Sequence, residues 1–289
     1  MSLAPRAVVV HRRTELDDLL ARHGSRGQVE FFLRSRGRSL EEVDRRAAAQ
    51  ADALRTVAAA IPADWRRGTV EREGLDTFLF SPEDVVLAVG PDGLVANLAG
   101  YLHGQPVIGV DPEPGRNPGL LVPHRPADVA GLLPRRDRAE ERTMVEVTAD
   151  DGRSIVALNE IYLGHPSHQS ARYRLSTADG RSERQSSSGV IVGTGTGATG
   201  WCRSIWLATG SALPLPAPAD PGLVWFVREA WPSPATGTDL TEGTGGLALT
   251  AETDGLVAFG DGIERDRLAL SWGQTATVRR SARTLRLVR

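Results

Sequence analysis

The stretch Val85-Val86-Leu87-Ala88-Val89-Gly90-Pro91-Asp92-Gly93 decides the fold. Its apolar, β-branched run is the length of a strand buried on both faces, the kind found in parallel sheets covered by helices. Gly90-Pro91-Asp92-Gly93 ends it. Leu94 to Leu102 reads as a helix and Pro106-Val107-Ile108-Gly109-Val110 as a second buried strand, which completes a strand-helix-strand unit. Toward the N-terminus, Ala7 to Val10 reads as another strand, and the leucines of Glu15 to Leu20 recur at helical spacing. Ser39 with Glu42 forms a capping-box pattern ahead of an Ala-rich helix that Pro62 ends.

From about Thr143 the texture changes to short alternating runs between Gly, Asp and Ser: Val145-Glu146-Val147, Tyr173-Arg174-Leu175-Ser176, Leu268-Ala269-Leu270. The prolines between Leu213 and Pro221 read as a loop, because closely spaced prolines neither donate to ladders nor continue a helix. The expectation is therefore an α/β chain: a doubly wound N-terminal α/β domain, then a β-rich, sandwich-like all-β domain. We place the first at residues 1–134, with the tail 275–289 as a candidate addition, and the second at 135–274. A length of 289 residues suits two cores.

Composition excludes several classes. With 40% hydrophobic and 24% charged residues the chain is globular rather than disordered. A net charge of -2 argues against a broad nucleic-acid footprint, and Arg135-Arg136 and Arg279-Arg280 read as solvated surface. The single cysteine, Cys202, rules out an internal disulfide and a multi-cysteine metal site, and it suits a reducing cytosol. The start Met-Ser-Leu-Ala-Pro-Arg carries no export signal, and its apolar stretch falls far short of the ~20 residues of a membrane span. A soluble, cytoplasmic protein is expected. All 34 Lys+Arg side chains are arginine. P-loop, protein-kinase and Schiff-base mechanisms that need a lysine are thereby excluded, and phosphate chemistry must use Arg, backbone N–H groups, helix N-termini or a metal.

Two loops can carry chemistry. Asp92 follows a buried strand, at the carboxyl edge where open α/β sheets bind ligands, and the next helix start suits phosphates. Its carboxylate can deprotonate or orient a hydroxyl; a plain turn aspartate is the other reading. Gly193-Thr194-Gly195-Thr196-Gly197-Ala198-Thr199-Gly200 follows Val190-Ile191-Val192 and precedes a helix through Ile205, Trp206 and Leu207. Its glycines admit a ligand to the backbone and its threonines offer hydroxyls. Gly195, Gly197 and Gly200 fit Gly-x-Gly-x-x-Gly, but the acid due about 20 residues later falls in the proline-rich loop, against a conventional dinucleotide dehydrogenase. Asn159-Glu160, after Ile155 to Leu158, brings an amide and a carboxylate to a strand end, where they can hold ribose hydroxyls or simply make a turn. His165 and His168 lack a third ligand and read as surface residues. The run from Trp225 to Trp231 reads as core.

Taken in order, these pieces resemble the NAD kinase family. Gly90-Pro91-Asp92-Gly93 stands at its Gly-Gly-Asp-Gly motif, Asn159-Glu160 at its Asn-Glu motif, and Thr194 to Ser204 at its Thr-rich glycine loop. Ala157 to Gly164, Ser187 to Gly197 and Pro106 through Pro118-Gly119 look closest to the mitochondrial-type branch. The resemblance covers roughly residues 84–120, 155–206 and, more loosely, 224–270. It implies an NAD kinase that phosphorylates the adenosine ribose 2'-hydroxyl of NAD to give NADP, with ATP or polyphosphate as donor and Mg2+ as companion ion. It implies ligands held between the two domains, Asp92 as the catalytic carboxylate, and Gly90 and Gly93 as the donor loop. Asn159, Glu160, Thr194, Thr196, Thr199, Gly200, Trp201 and Ser204 would bind NAD, with Trp201 in place of a family aromatic. The metal ligands are unassigned, and a homodimer is expected by analogy.

Two residues depart from the motif. Pro91 removes a backbone N–H, and Leu94 stands where a Thr hydroxyl is usual. They keep open a second reading, a kinase-derived dinucleotide-binding or regulatory protein with little catalysis. A lipid kinase of the diacylglycerol or sphingosine type shares a related glycine-aspartate loop, but the Asn-Glu motif and the Thr-rich loop oppose it.

Overall fold

The computed structural model describes residues 5–116 and 119–289. The start Met1 to Ala4 and the Pro118 of the family-like stretch lie outside the described residues. The chain forms two compact units, one of residues up to Glu140 with Arg286–Arg289, the other of Glu141–Leu285.

In the first unit, strands β1 (Arg6–His11), β2 (Arg66–Glu71), β3 (Asp84–Val89) and β4 (Pro106–Val110) form a parallel sheet in the order β2-β1-β3-β4, and Arg286 and Leu287 pair beside β4. Between β1 and β2 run α1 (Glu15–His23), α2 (Arg26–Arg34) and α3 (Leu40–Ala60). Ala53, Val57 and Ile61 of α3 and its end pack with Val9, Val85, Leu87 and Ile108 on one sheet face. The alternating residues Val8, Val86 and Ala88 are equally buried, as are Leu94, Val95 and Leu98 of α4 (Asp92–Ala99), which lie outside that cluster; helices cover both faces. That is the doubly wound expectation. Ser39 caps α3 through the Glu41 amide, and the reciprocal capping box forms instead at Thr14 and Asp17.

Helix α4 begins at Asp92, two residues before the Leu94 that sequence spacing suggested, and ends at Ala99 rather than Leu102. Pro91, extended at φ -77°, fits the N-cap because that position needs no intrahelical N–H. Tyr101 and Leu102 continue only as tight turns, their amides bonding to Leu98 and Ala99. Asp92 therefore belongs to the first turn of a helix.

The second unit is an antiparallel sandwich. Its six-stranded sheet has the order β12 (Glu242–Thr244), β11 (Leu223–Val227), β10 (Val190–Thr194), β7 (Glu160–Gly164), β14 (Leu256–Gly260), β15 (Leu268–Leu270). Facing it are β8 (Ala171–Thr177), β9 (Ser182–Ser187), β13 (Leu247–Ala251), the start of β16 (Thr275–Val288), and the pair β5 (Ala139–Ala149) and β6 (Ser154–Ala157). Alternation decides the layers: Ile161, Leu163, Val190 and Val192 point to the common core with Tyr173, Leu175 and Leu249, while Tyr162, Ile191, Val224 and Phe226 face helix α6 (Trp201–Thr209). The run from Trp225 to Trp231 divides: Trp225 is core, whereas Trp231 is 69% exposed beyond the strand end. Among the described residues no helix is long and apolar enough to cross a membrane.

Candidate functional site

In the first unit β1 pairs with both β2 and β3, so the strand order reverses there, and a doubly wound sheet opens its ligand crevice at the carboxyl ends beside such a reversal. Gly90 and Asp92 follow the carboxyl end of β3, at that place. The Gly90 amide is tied to the Val110 carbonyl at 3.0 Å. Asp92 Oδ2 accepts the Leu120 amide at 2.9 Å, and Oδ1 accepts those of Leu121 at 2.9 Å and Val122 at 3.1 Å. The carboxylate thus clasps the segment that follows β4. Gly109 makes the clasp possible, since a Cβ there would stand 1.9 Å from the Leu121 carbonyl oxygen. Gly93 is exposed with open space where a side chain would be, so a ligand can approach the helix start. Leu94 is buried against Gly90. It offers packing where a hydroxyl would have offered a hydrogen bond.

In the second unit, Asn159 links β6 to β7 and Glu160 opens β7. The turn is held from two sides. Asp261, after β14, accepts the Leu158 amide on Oδ2 at 2.8 Å and those of Asn159 at 2.7 Å and Glu160 at 3.4 Å on Oδ1, and its own amide bonds to the Glu160 carbonyl. From the glycine loop, the Thr194 amide donates to the Asn159 carbonyl at 2.9 Å, and its hydroxyl donates to the Leu158 carbonyl at 2.6 Å. Gly197 lies so close that a Cβ would sit 2.1 Å from the Asn159 carbonyl oxygen. Among the described residues the side-chain carboxamide of Asn159 and the carboxyl of Glu160 make no hydrogen bond, so both remain available to a ligand.

The expected NAD-binding residues separate by what they face. Thr194 and Thr196 are turned into the protein: the Thr194 hydroxyl also accepts the Thr196 and Gly197 amides, and the Thr196 hydroxyl donates to the Pro218 carbonyl. They shape the loop. Thr199, Gly200 and Ser204 are exposed at the start of α6, the Thr199 hydroxyl donating to the Thr196 carbonyl. Trp201, 36% exposed, stacks on Tyr162 with centroids 6.1 Å apart at 11°, and the Arg228 guanidinium lies 5.5 Å from its ring. Beside it opens a cleft of about 300 Å³ lined by Tyr162, Trp201, Phe259, His168, Arg228 and Arg267. His165 accepts from the Ser167 amide.

Burial and the Asp261 charge push Glu160 up to about 8, while burial raises Asp261 to about 6 against the pull of its three amide bonds. Burial and the nearby Glu160 carry Cys202 to about 12, so its thiol is no nucleophile at neutral pH. Among the described residues no three His, Cys, Asp or Glu side chains gather into a metal-holding set. Asp261 was not among the sequence candidates, although Leu256 to Phe259 followed by Gly260-Asp261-Gly262 parallels the strand and Gly90-Pro91-Asp92-Gly93 of the first unit.

No family model matches the chain, and no curated protein matches it in sequence. Its fold, however, is shared with solved NAD and NADH kinases. The chain is similar to the crystal structure of an NAD kinase from Archaeoglobus fulgidus in complex with ATP, at a TM-score of 0.58 and 16% identity, over 98% of this chain and 93% of that one. It is similar to yeast NADH kinase complexed with NADH at a TM-score of 0.59 and 13% identity, over 100% of this chain and 84% of that one. Such likenesses establish the fold.

Proposed function

We propose that the protein is an NAD(H) kinase, transferring a phosphoryl group from ATP or polyphosphate to the adenosine ribose 2'-hydroxyl. One observation carries the reading: a turn with two unengaged ribose-competent side chains, Asn159 and Glu160, is fixed between a carboxylate clasp and a glycine-threonine loop. An amide and a carboxyl side by side donate to and accept from the hydroxyls of one sugar. Thr199, Gly200, Trp201 and Ser204 line the adenosine portion in this reading, and Gly90 and Gly93 face the donor. Asp92 takes the hydroxyl proton on Oδ2, which holds a single amide and keeps a lone pair. The ribose oxygen then bonds to the terminal phosphorus as the bridging P–O bond breaks and the shortened donor leaves. Magnesium would accompany the donor phosphates, and no step is drawn through it.

The finer expectations belong to the same reading: a mitochondrial-type branch and a homodimer rest on the sequence resemblance, and a cytoplasmic setting on the lone Cys202 and the short apolar stretch at the chain start. Pro91 and the buried Leu94 favour a second reading, a dinucleotide binder with little catalysis, because both subtract donor contacts. An NADP-formation assay over ATP, other nucleotides and polyphosphate, with NAD and NADH as acceptors, separates the two. Turnover with any donor supports the kinase; calorimetric NAD binding without turnover supports the binder; absence of NAD binding ends both.

A further inference from the structure

We propose that Asp261 is the positioning residue of the dinucleotide site, its carboxylate fixing the Asn159–Glu160 turn by accepting the amide hydrogens of three successive residues. The inference rests on the kinase reading for its ligand and on geometry for its mechanism. Leu158, Asn159 and Glu160 all donate to this one side chain, with the first two bonds at 2.8 and 2.7 Å. The turn carries the chain from β6 in one sheet to β7 in the other, so no hairpin partner takes these amides, and each unpaired one would loosen the backbone it belongs to. The side chain reaches them because residue 261 adopts φ +51°, a left-handed conformation that Asp tolerates better than most residues. Its amide returns a bond to the Glu160 carbonyl, so the contact is reciprocal.

The Thr194 and Gly197 contacts reach the same turn from another strand, but they hold the carbonyls of Leu158 and Asn159. Asp261 alone among these groups holds the amides. Glu160 faces Asp261 across the turn, and Cys202 lies near Glu160. Crowding two carboxyl groups in one mostly buried place is costly unless it serves a purpose. Here the purpose is to present Glu160 at a fixed angle while its own carboxyl stays unengaged. Asp261 touches the backbone of the binding pair and acts on the substrate only through it.

Asp261→Asn tests this, because its amide group turns a donor toward donors, and Asp261→Gly keeps the left-handed backbone while removing the acceptor. With charge-assisted bonds lost, the KM for NAD should rise ~10- to 100-fold while kcat stays within about threefold. Amide exchange of residues 158–160 should accelerate while that of Ile191 and Val192 is unchanged. A KM within about twofold of wild type, a fall in kcat matching the rise in KM, or unchanged exchange at 158–160 overturns the proposal. Should neither variant fold, exchange in the wild type decides: the three amides open together if one carboxylate holds them, and separate rates overturn the idea. If the wild type binds no NAD, the kinase reading fails while the exchange comparison still decides the clasp.

Discussion

The two units each close a loop with one aspartate, and they do so in the same pattern. Asp92 takes the Leu120 amide on Oδ2 and the Leu121 and Val122 amides on Oδ1; Asp261 takes Leu158 on Oδ2 and Asn159 and Glu160 on Oδ1. Each follows a buried strand and a glycine and precedes a glycine. Their surroundings differ. Asp92 stands in the first turn of α4, where helix amides and dipole suit anions, whereas Asp261 is followed, three residues on, by a single 3-10 turn, Glu264–Asp266, and shares its place with Glu160. In the proposed reading the same clasp serves chemistry in one unit and presentation in the other, with the field around each carboxylate as the difference.

The largest effect should come from Asp92→Asn, with kcat falling ~10²- to 10⁴-fold and the KM for NAD little changed, the reverse of the Asp261 pattern. Steady-state kinetics on both variants checks this, and two identical profiles would abolish the distinction drawn above. Next come the glycines that let a neighbouring segment approach each clasped loop. Gly109→Ala and Gly197→Ala drive a methyl into a carbonyl oxygen, and each should lower the unfolding free energy by ~1–3 kcal/mol in denaturant titrations; a neutral result at either would mean that its loop is not held where it lies.

The pH dependence sharpens the contrast further. Glu160 and Asp261 are raised to about 8 and about 6, so the folded protein keeps protons that the unfolded chain gives up in the ordinary carboxylate range. Their contribution is full below that range and is lost as pH rises through about 6 and about 8. Glu160→Gln should therefore stabilise the fold at pH 8 by ~1–3 kcal/mol and do little at pH 4. Melting temperatures at both pH values provide the check, and a gain confined to acid would contradict the assigned burial. The smallest effect is expected from Pro91→Gly. Restoring one N–H at the donor loop should lower the KM for ATP up to ~10-fold and leave that for NAD alone; an altered NAD KM would show that the loop serves the acceptor.

Sequence alone carried the β3–α4–β4 unit, because a run such as Val85 to Val89 is stable only when buried on both faces. It also carried the sandwich, since alternation as in Tyr173-Arg174-Leu175 admits one buried side per strand. Asp92, Asn159 and Glu160 were legible as chemistry-bearing types at strand ends. Spacing could not tell which threonines of the 194–199 loop face outward, because hydroxyls serve backbone carbonyls and ligands equally well; folding turned Thr194 and Thr196 inward and left Thr199 exposed. Nor could it show what the two aspartates grip. Their partners lie 28 to 30 residues away for Asp92 and 101 to 103 for Asp261, and a hydrogen bond at that separation exists only after the strands between have paired. Local residue type sets what a side chain can do, and tertiary pairing sets which groups come within its reach.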